Sequence, residues 1–168
     1  MERTQWDADV AVERLYASHY RRLVRLAVLL VHDVETAEEV VQDSFAAMHG
    51  RWRRLHEPDK GLAYLRQTVV NRSRSALRRR GVRRRHDVVL RELPVPGAEE
   101  GALATERRAN VLDALRRLPD RQREVLALRY YAELSEAEIA ETLGISRGAV
   151  KSHASRGAAA LRELLEDV

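Results

Sequence analysis

The sequence predicts an all-α fold of two small helical domains joined by a flexible linker, and three observations carry that prediction. Apolar residues recur at helical spacing along most of the chain, and no segment of strand length alternates apolar with polar residues. Pro94, Pro96, Gly97 and Gly101 cluster in one short stretch where the helical periodicity is lost. The chain has 168 residues, room for one domain or two small ones at about 100–200 residues each. With 45% hydrophobic and 33% charged residues, it has the composition of a folded protein. The longest apolar run, Leu26 to Val31, is six residues, against the roughly 20 that a membrane helix needs. No membrane insertion is expected, and Met1 to Asp7 lacks the apolar stretch of a secretory signal. The absence of cysteine excludes disulfides, thiolate zinc sites and cysteine nucleophiles. A cytoplasmic location fits.

The elements follow in order. Residues 8–31 contain no Gly or Pro and align Val12, Leu15, Leu23, Leu26 and Leu30 on a first helix. The polar break His32 to Thr36 comes next and offers two helix caps, of which Thr36 with Glu39 has capping-box spacing. A second helix is expected over 37–49, with Val40, Val41, Phe45 and Met48 inward and an end near Gly50. Arg51 to Gly61, with Trp52 and Pro58, reads as a loop. A basic helix then anchors itself through Leu62, Leu65, Val69, Ala76 and Leu77, is interrupted at Gly81, and frays into Arg83, Arg84 and Arg85. Residues 88–104 have linker composition, acidic and rich in breakers. Helix resumes by Thr105 and runs to Leu118, and Pro119 suits the first turn of another helix from Asp120 to Tyr131. The expected division is therefore 1–87, 88–104 and 105–168.

The net charge of +4 is unevenly held. Residues 61–85 carry nine Arg and no acid, whereas 1–60 sum to −2, 86–111 to −2 and 112–168 to −1. Arg66, Arg72, Arg74 and Arg78 fall largely off the apolar stripe of the basic helix. A merely solvated face normally intersperses acids as i,i+4 partners, and none occurs here. The guanidinium fork matches phosphate geometry. Nucleic acid is the expected partner.

The strongest local pattern spans Leu134 to Arg156. Ser135 with Glu138 forms a capping box, Ile139, Ala140 and Leu143 face inward, and Gly144 permits a tight left-handed turn. Ile145 plugs that turn, Ser146 caps a second helix and Val150 buries it. This is a helix-turn-helix, whose second helix enters the major groove in DNA-binding domains; the plain alternative is a helical hairpin packed against protein. The second helix would expose Arg147, Lys151, Ser152, Ser155 and Arg156, with Lys151 and Arg156 the strongest DNA contacts.

Four motifs in order resemble the bacterial RNA polymerase sigma factors of the extracytoplasmic-function (ECF) group. Ala37 to Phe45 resembles region 2.2; Trp52, Tyr64-Leu65-Arg66, Val70-Asn71 and the Arg cluster resemble regions 2.3 and 2.4. Leu118 to Leu126 with Leu128 to Tyr131 resembles region 4.1, and the helix-turn-helix with Gly148 to Ser152 resembles region 4.2. The resemblance implies docking on the β′ clamp helices of core RNA polymerase through Glu39, Gln42 and Asp43, with a further contact to the β flap. It implies capture of an unstacked −10 base near Trp52 and Tyr64, reading by Asn71 and Ser75, and backbone contacts from Arg66, Arg72, Arg74, Arg78, Arg79 and Arg80. Arg147, Lys151, Ser152, Ser155 and Arg156 would contact the −35 element. Asn71 has a second reading as a structural cap. An anti-sigma factor is typical of the family. Relatives often differ at the Ser75 and Ser155 positions, the short link to region 4 omits the extra domain of housekeeping sigmas, and no further domain is expected after Leu165.

An enzyme is the main alternative class and lacks support. The six His residues show no His-Glu-x-x-His spacing, and no phosphate loop or nucleophile elbow occurs. His19 and His153 read as packed or hydrogen-bonded, and neither metal nor cofactor is expected. A stand-alone helix-turn-helix regulator of duplex operator DNA explains residues 119–165 but leaves the +9 segment without a role.

Overall fold

The computed structural model describes residues 2–55, 58–83 and 101–167. The expected linker and the end of the basic tail, Arg84 and Arg85, lie outside those residues, apart from Gly101 to Ala104. Seven α-helices carry the described chain: α1 (Glu2–Val31), α2 (Val34–Arg51), α3 (Gly61–Arg83), α4 (Ala102–Arg117), α5 (Asp120–Leu126), α6 (Glu136–Leu143) and α7 (Arg147–Glu166). Short 3₁₀ turns at Trp52–Arg54 and Pro58–Lys60 precede α3, and a π-helical turn, Ala127–Tyr131, extends α5. No strand occurs among the described residues.

In the N-terminal half, α1, α2 and α3 pack on one another. Leu26, Val41, Met48, Leu65 and Val69, each 2% exposed or less, form the centre. Of the two caps that the break between α1 and α2 offered, the helix uses the earlier one and not Thr36. His32 adopts φ 62° and Asp33 is the N-cap, its carboxylate accepting from the Thr36 N–H at 2.9 Å. Asp33 is a better acceptor than the Thr36 hydroxyl and sits directly after the left-handed residue that turns the chain. The α2 helix thus begins at Val34, three residues before the expected start. The basic helix also departs from expectation, since α3 runs through Gly81 to Arg83. A lone glycine costs a helix only about 1 kcal/mol against alanine, and neighbouring Arg80 is fixed firmly. Its guanidinium donates to the Val31 carbonyl at 3.0 Å and to Asp33 at 2.6 Å, bracing the α1–α2 corner.

In the C-terminal half, α7 packs against α4, α5 and α6. Gly157 allows the closest approach, because a Cβ there would meet Leu126 and Gln122 at 3.2 Å. Helix α4 begins at Ala102 and α7 is continuous from Arg147 to Glu166. The two halves also touch: α3 packs on α6, and α1 meets α4, α5 and the π turn. Val125, Leu128, Ile139 and Val150 therefore belong to the same apolar cluster as Leu26 and Leu65.

Candidate nucleic-acid interface

Three surfaces gather the residues singled out by sequence, and α3 carries the first. Its 3.6-residue period gives it three sides rather than two. One side, Leu65, Val69 and Ala76, is buried in the N-terminal bundle. A second, Tyr64, Gln67, Thr68, Asn71, Arg72, Ser75, Arg78 and Arg79, lines a depression of about 820 Å³ completed by Ala47 and Arg51 of α2. Four arginines and no acid line it, so its field attracts polyanions. Asn71 is exposed in the helix interior and so is not a cap. The Ser75 hydroxyl donates to the Asn71 carbonyl at 3.2 Å, and Thr68 donates to Tyr64 at 2.8 Å. Arg51, Gln67 and Thr68 were not singled out by sequence. Gln67 and Thr68 share the helical face of Asn71, which is the signal that would have found them.

Trp52, Arg66 and Arg74 do not line this depression. Trp52 is half-buried against the core, near Gly61. Arg66 is half-buried, and burial lowers the pKa of its guanidinium, with Glu138 of α6 opposing that shift and Arg22 adding to it. Arg74 is held by the C-terminal half: its Nε donates to Glu124 Oε1 at 3.0 Å and its Nη2 to Oε2 at 2.9 Å. The expected free arginine is thus an inter-domain ion pair, formed with a residue 50 positions away.

The second surface is the helix-turn-helix. The Ser135 hydroxyl accepts from the Glu138 N–H while the Glu138 carboxylate accepts from the Ser135 N–H at 2.7 Å. Hydrogen bonding to its carboxyl from the Ser135 backbone N–H first, and then from the Ser135 side chain, holds Glu138 below its ordinary pKa. Gly144 ends α6 at φ 64°, and Ser146 caps α7 by accepting from the Ala149 N–H at 3.1 Å. Val150, Ala154 and Gly157 face inward. Arg147, Lys151, Ser155 and Arg156 are exposed on the outer side, with Ser152 half-buried at its edge. Lys151 lies 3.9 Å from Glu136, a loose exposed pair of little energetic weight.

The third surface is the outer face of α2, where Glu39, Gln42 and Asp43 are all exposed. Beside them Tyr16 stacks on Tyr20 with ring centroids 4.4 Å apart, and both reach Phe45. Gln42 extends its amide toward the Tyr20 hydroxyl at 3.4 Å. These tyrosines lie on α1, 22 residues upstream in the case of Tyr20 and Gln42, so no local motif linked them to α2.

Known proteins match this arrangement. The sigma-70 region 2 family matches residues 15–83, the three-helix bundle with its basic depression. The sigma-70 region 4 family matches residues 108–161, which include the helix-turn-helix. The RNA polymerase sigma-E factor of Streptomyces antibioticus is 32% identical over 154 residues, covering 92% of this chain and 84% of that one. The ECF RNA polymerase sigma factor SigM of Mycobacterium tuberculosis is 32% identical over 155 residues, covering 92% and 77%. This chain belongs to the ECF sigma factors. Two solved structures share the fold at 25% identity: RpoE of Bartonella quintana in complex with the anti-sigma factor NepR, with a TM-score of 0.73 over 92% of this chain and 96% of that one, and CnrH in complex with the cytosolic domain of CnrY, at 0.71 over 98% and 97%. As an ECF sigma factor, the chain binds core RNA polymerase and promoter DNA and directs promoter-specific transcription initiation. A stand-alone regulator is not favoured, since it leaves the region 2 match without a role. Among the described residues no helix is long and apolar enough to cross a membrane.

Proposed function

We propose that this ECF sigma factor reads its promoter at two points, with α3 on the −10 element and α7 on the −35 element. The observation that carries this reading is the pairing, in one chain, of an acid-free arginine depression with a helix-turn-helix whose outer face is short and cationic. Single-stranded bases need a stacking surface and a polyanion needs cations; Tyr64 supplies the first, and Arg51, Arg72, Arg78 and Arg79 the second. Asn71 and Ser75 offer hydrogen bonds to base edges from the same wall. Arg147, Lys151, Ser152, Ser155 and Arg156 enter the major groove or grip its phosphates. Glu39, Gln42 and Asp43 dock on the β′ clamp helices, region 4 meets the β flap, and an anti-sigma protein covers these faces when the factor is held inactive. The chain supplies recognition in the cytoplasm, and the polymerase supplies the nucleotidyl-transfer chemistry.

The test is reconstituted transcription. Purified chain with core polymerase should start defined transcripts on a cognate promoter, and core alone should not. The Tyr64→Ala variant should lose opening of the −10 region while retaining −35 duplex binding. A holoenzyme that initiates on no cognate promoter would overturn the reading.

A further inference from the structure

The depression has two walls, and they stand on different helices. Ala47 and Arg51 of α2 form one, and residues of α3 beginning with Tyr64 form the other. The gap between packed helices depends on the side chains where they touch. Near the Tyr64 end that contact is made at Gly61, the first residue of α3, which is buried. A Cβ on Gly61 would lie 3.0 Å from Leu15 Cδ1, 3.7 Å from Trp52 Cζ3 and 3.9 Å from Met48 Sδ. Side chains from α1, from α2 and from the turn that continues α2 thus converge on a backbone position where even a methyl group is tight. We propose that Trp52 and Gly61 form a staple that fixes the spacing of the two walls, so that Trp52 is a positioning residue for −10 recognition and not a base-stacking one.

Chain connectivity ties the staple to both walls. Trp52 directly follows Arg51, and its N–H donates to the His49 carbonyl, so its backbone is a rigid continuation of α2. The Leu55 N–H then returns to the carbonyls of Arg51 and Trp52 at 3.2 and 3.1 Å and closes the turn. Met48, 0% exposed, directly follows Ala47. On the other wall Tyr64 stands about one helical turn beyond Gly61. The indole itself is half-buried against the core and lines none of the depression, although an aromatic ring so close to a single-strand site is the obvious stacking candidate. Walls held at one spacing before DNA arrives spare the cost of ordering them on binding. A displacement of about 1 Å in a site of this kind can cost about 100-fold. The staple rests on the proposed reading of the −10 element by α3.

The experiment uses holoenzyme reconstituted from the full chain and core polymerase. The probe is labelled single-stranded DNA carrying the non-template −10 sequence of a promoter on which that holoenzyme initiates, and the control is duplex DNA carrying its −35 element. Tyr64→Leu should weaken binding of the single strand about tenfold; unchanged binding would overturn the −10 reading, and the staple with it. Gly61→Val should weaken the single strand about tenfold and leave the −35 duplex alone, and adding Leu15→Ala should return most of the loss by making room. Trp52→Ala should lose about as much, and Trp52→Leu, which keeps apolar bulk without a ring, should recover most of it. If Tyr64→Leu weakens the single strand while Gly61→Val and Trp52→Ala bind it as the unaltered chain does, the −10 reading stands and the staple is refuted. If Trp52→Leu loses as much as Trp52→Ala, the indole stacks on DNA and the assignment is overturned. Circular dichroism and the −35 duplex check the fold. Where Gly61→Val or Trp52→Ala fails that check, the milder Gly61→Ala takes its place, read with and without Leu15→Ala. A loss on the single strand that Leu15→Ala reverses supports the staple; no loss, or a loss that persists, overturns it.

Discussion

Gly144 holds its turn at φ 64° with open space around it, so a side chain there meets no neighbour and pays only for the left-handed backbone. Gly144→Ala should therefore cost about 1–2 kcal/mol, read as a lower urea midpoint with an unchanged slope. Ser135→Ala removes half of a reciprocal cap and should cost about 1 kcal/mol in the same measurement. On the DNA-facing side, the Lys151→Ala, Arg156→Ala double variant should leave stability within about 0.5 kcal/mol, because both side chains are exposed. It should reduce −35-dependent initiation at least tenfold, at about 1–3 kcal/mol per specific contact. Initiation at the unaltered rate would mean that α7 is turned wrongly in the proposed reading.

At the scale of the element, α3 shows how a single helix serves three neighbours. Its apolar stripe was legible in the sequence, because Leu65, Val69 and Ala76 repeat at helical spacing. Its arginines were not separable there, since Arg72, Arg74 and Arg80 are chemically alike and differ only in which neighbour their side of the helix meets. Arg72 lines the depression, Arg74 meets Glu124, and Arg80 braces Val31 and Asp33. Replacing Arg72, Arg78 and Arg79 by Gln should consequently shallow the salt dependence of promoter binding by about 0.9 for each lost phosphate contact. Arg80→Gln should act on stability instead, because it removes the partner of a half-buried carboxylate. Burial alone would raise the Asp33 pKa, but the bonds from Thr36 and the charge and bonding of Arg80 outweigh it and hold that carboxyl below its ordinary value. An Arg80→Gln variant that melts like the unaltered chain would remove this assignment.

At the scale of the whole molecule, the seam between the halves is sensitive to acid. His32 is 4% exposed, and its Nε2 accepts from Arg123, so its proton sits on Nδ1, which is buried without a partner among the described residues. Burial first, then the charges of Arg123, Arg116 and Arg80, lower its pKa to about 3 from 6.5, and only Asp113 opposes them. The unfolded chain thus binds a proton below pH 6.5 that the folded chain refuses. The contribution of His32 is fully present above about pH 6.5 and is lost as pH falls toward about 3, by at most about 1.4 kcal/mol per unit. Asp33, with its depressed pKa, adds a loss of the same sign below its unfolded value. Small-angle scattering across this range should show expansion on acidification. His32→Asn should flatten the His32 part of the pH dependence, and asparagine tolerates the φ of 62° at that position.

What the sequence determined by itself is local: helical periodicity, the capping box at Ser135, the turn at Gly144, the cap at Ser146, and the segregation of positive charge into 61–85. Each depends on residues within about one helical turn of one another or on composition, so no tertiary contact is needed to read it. The family motifs were legible for a related reason, being short runs of residues in a fixed order along the chain. The tertiary structure alone decided which of the two caps begins α2, because Asp33 prevails over Thr36 once His32 turns the chain and Arg80 arrives from α3. It alone decided that Tyr16 and Tyr20 flank Gln42 and that Arg74 belongs to Glu124. Those pairings join residues tens of positions apart, and nothing in the order of side chains along a strand of sequence states which helix faces will meet; the docking of one apolar stripe on another does.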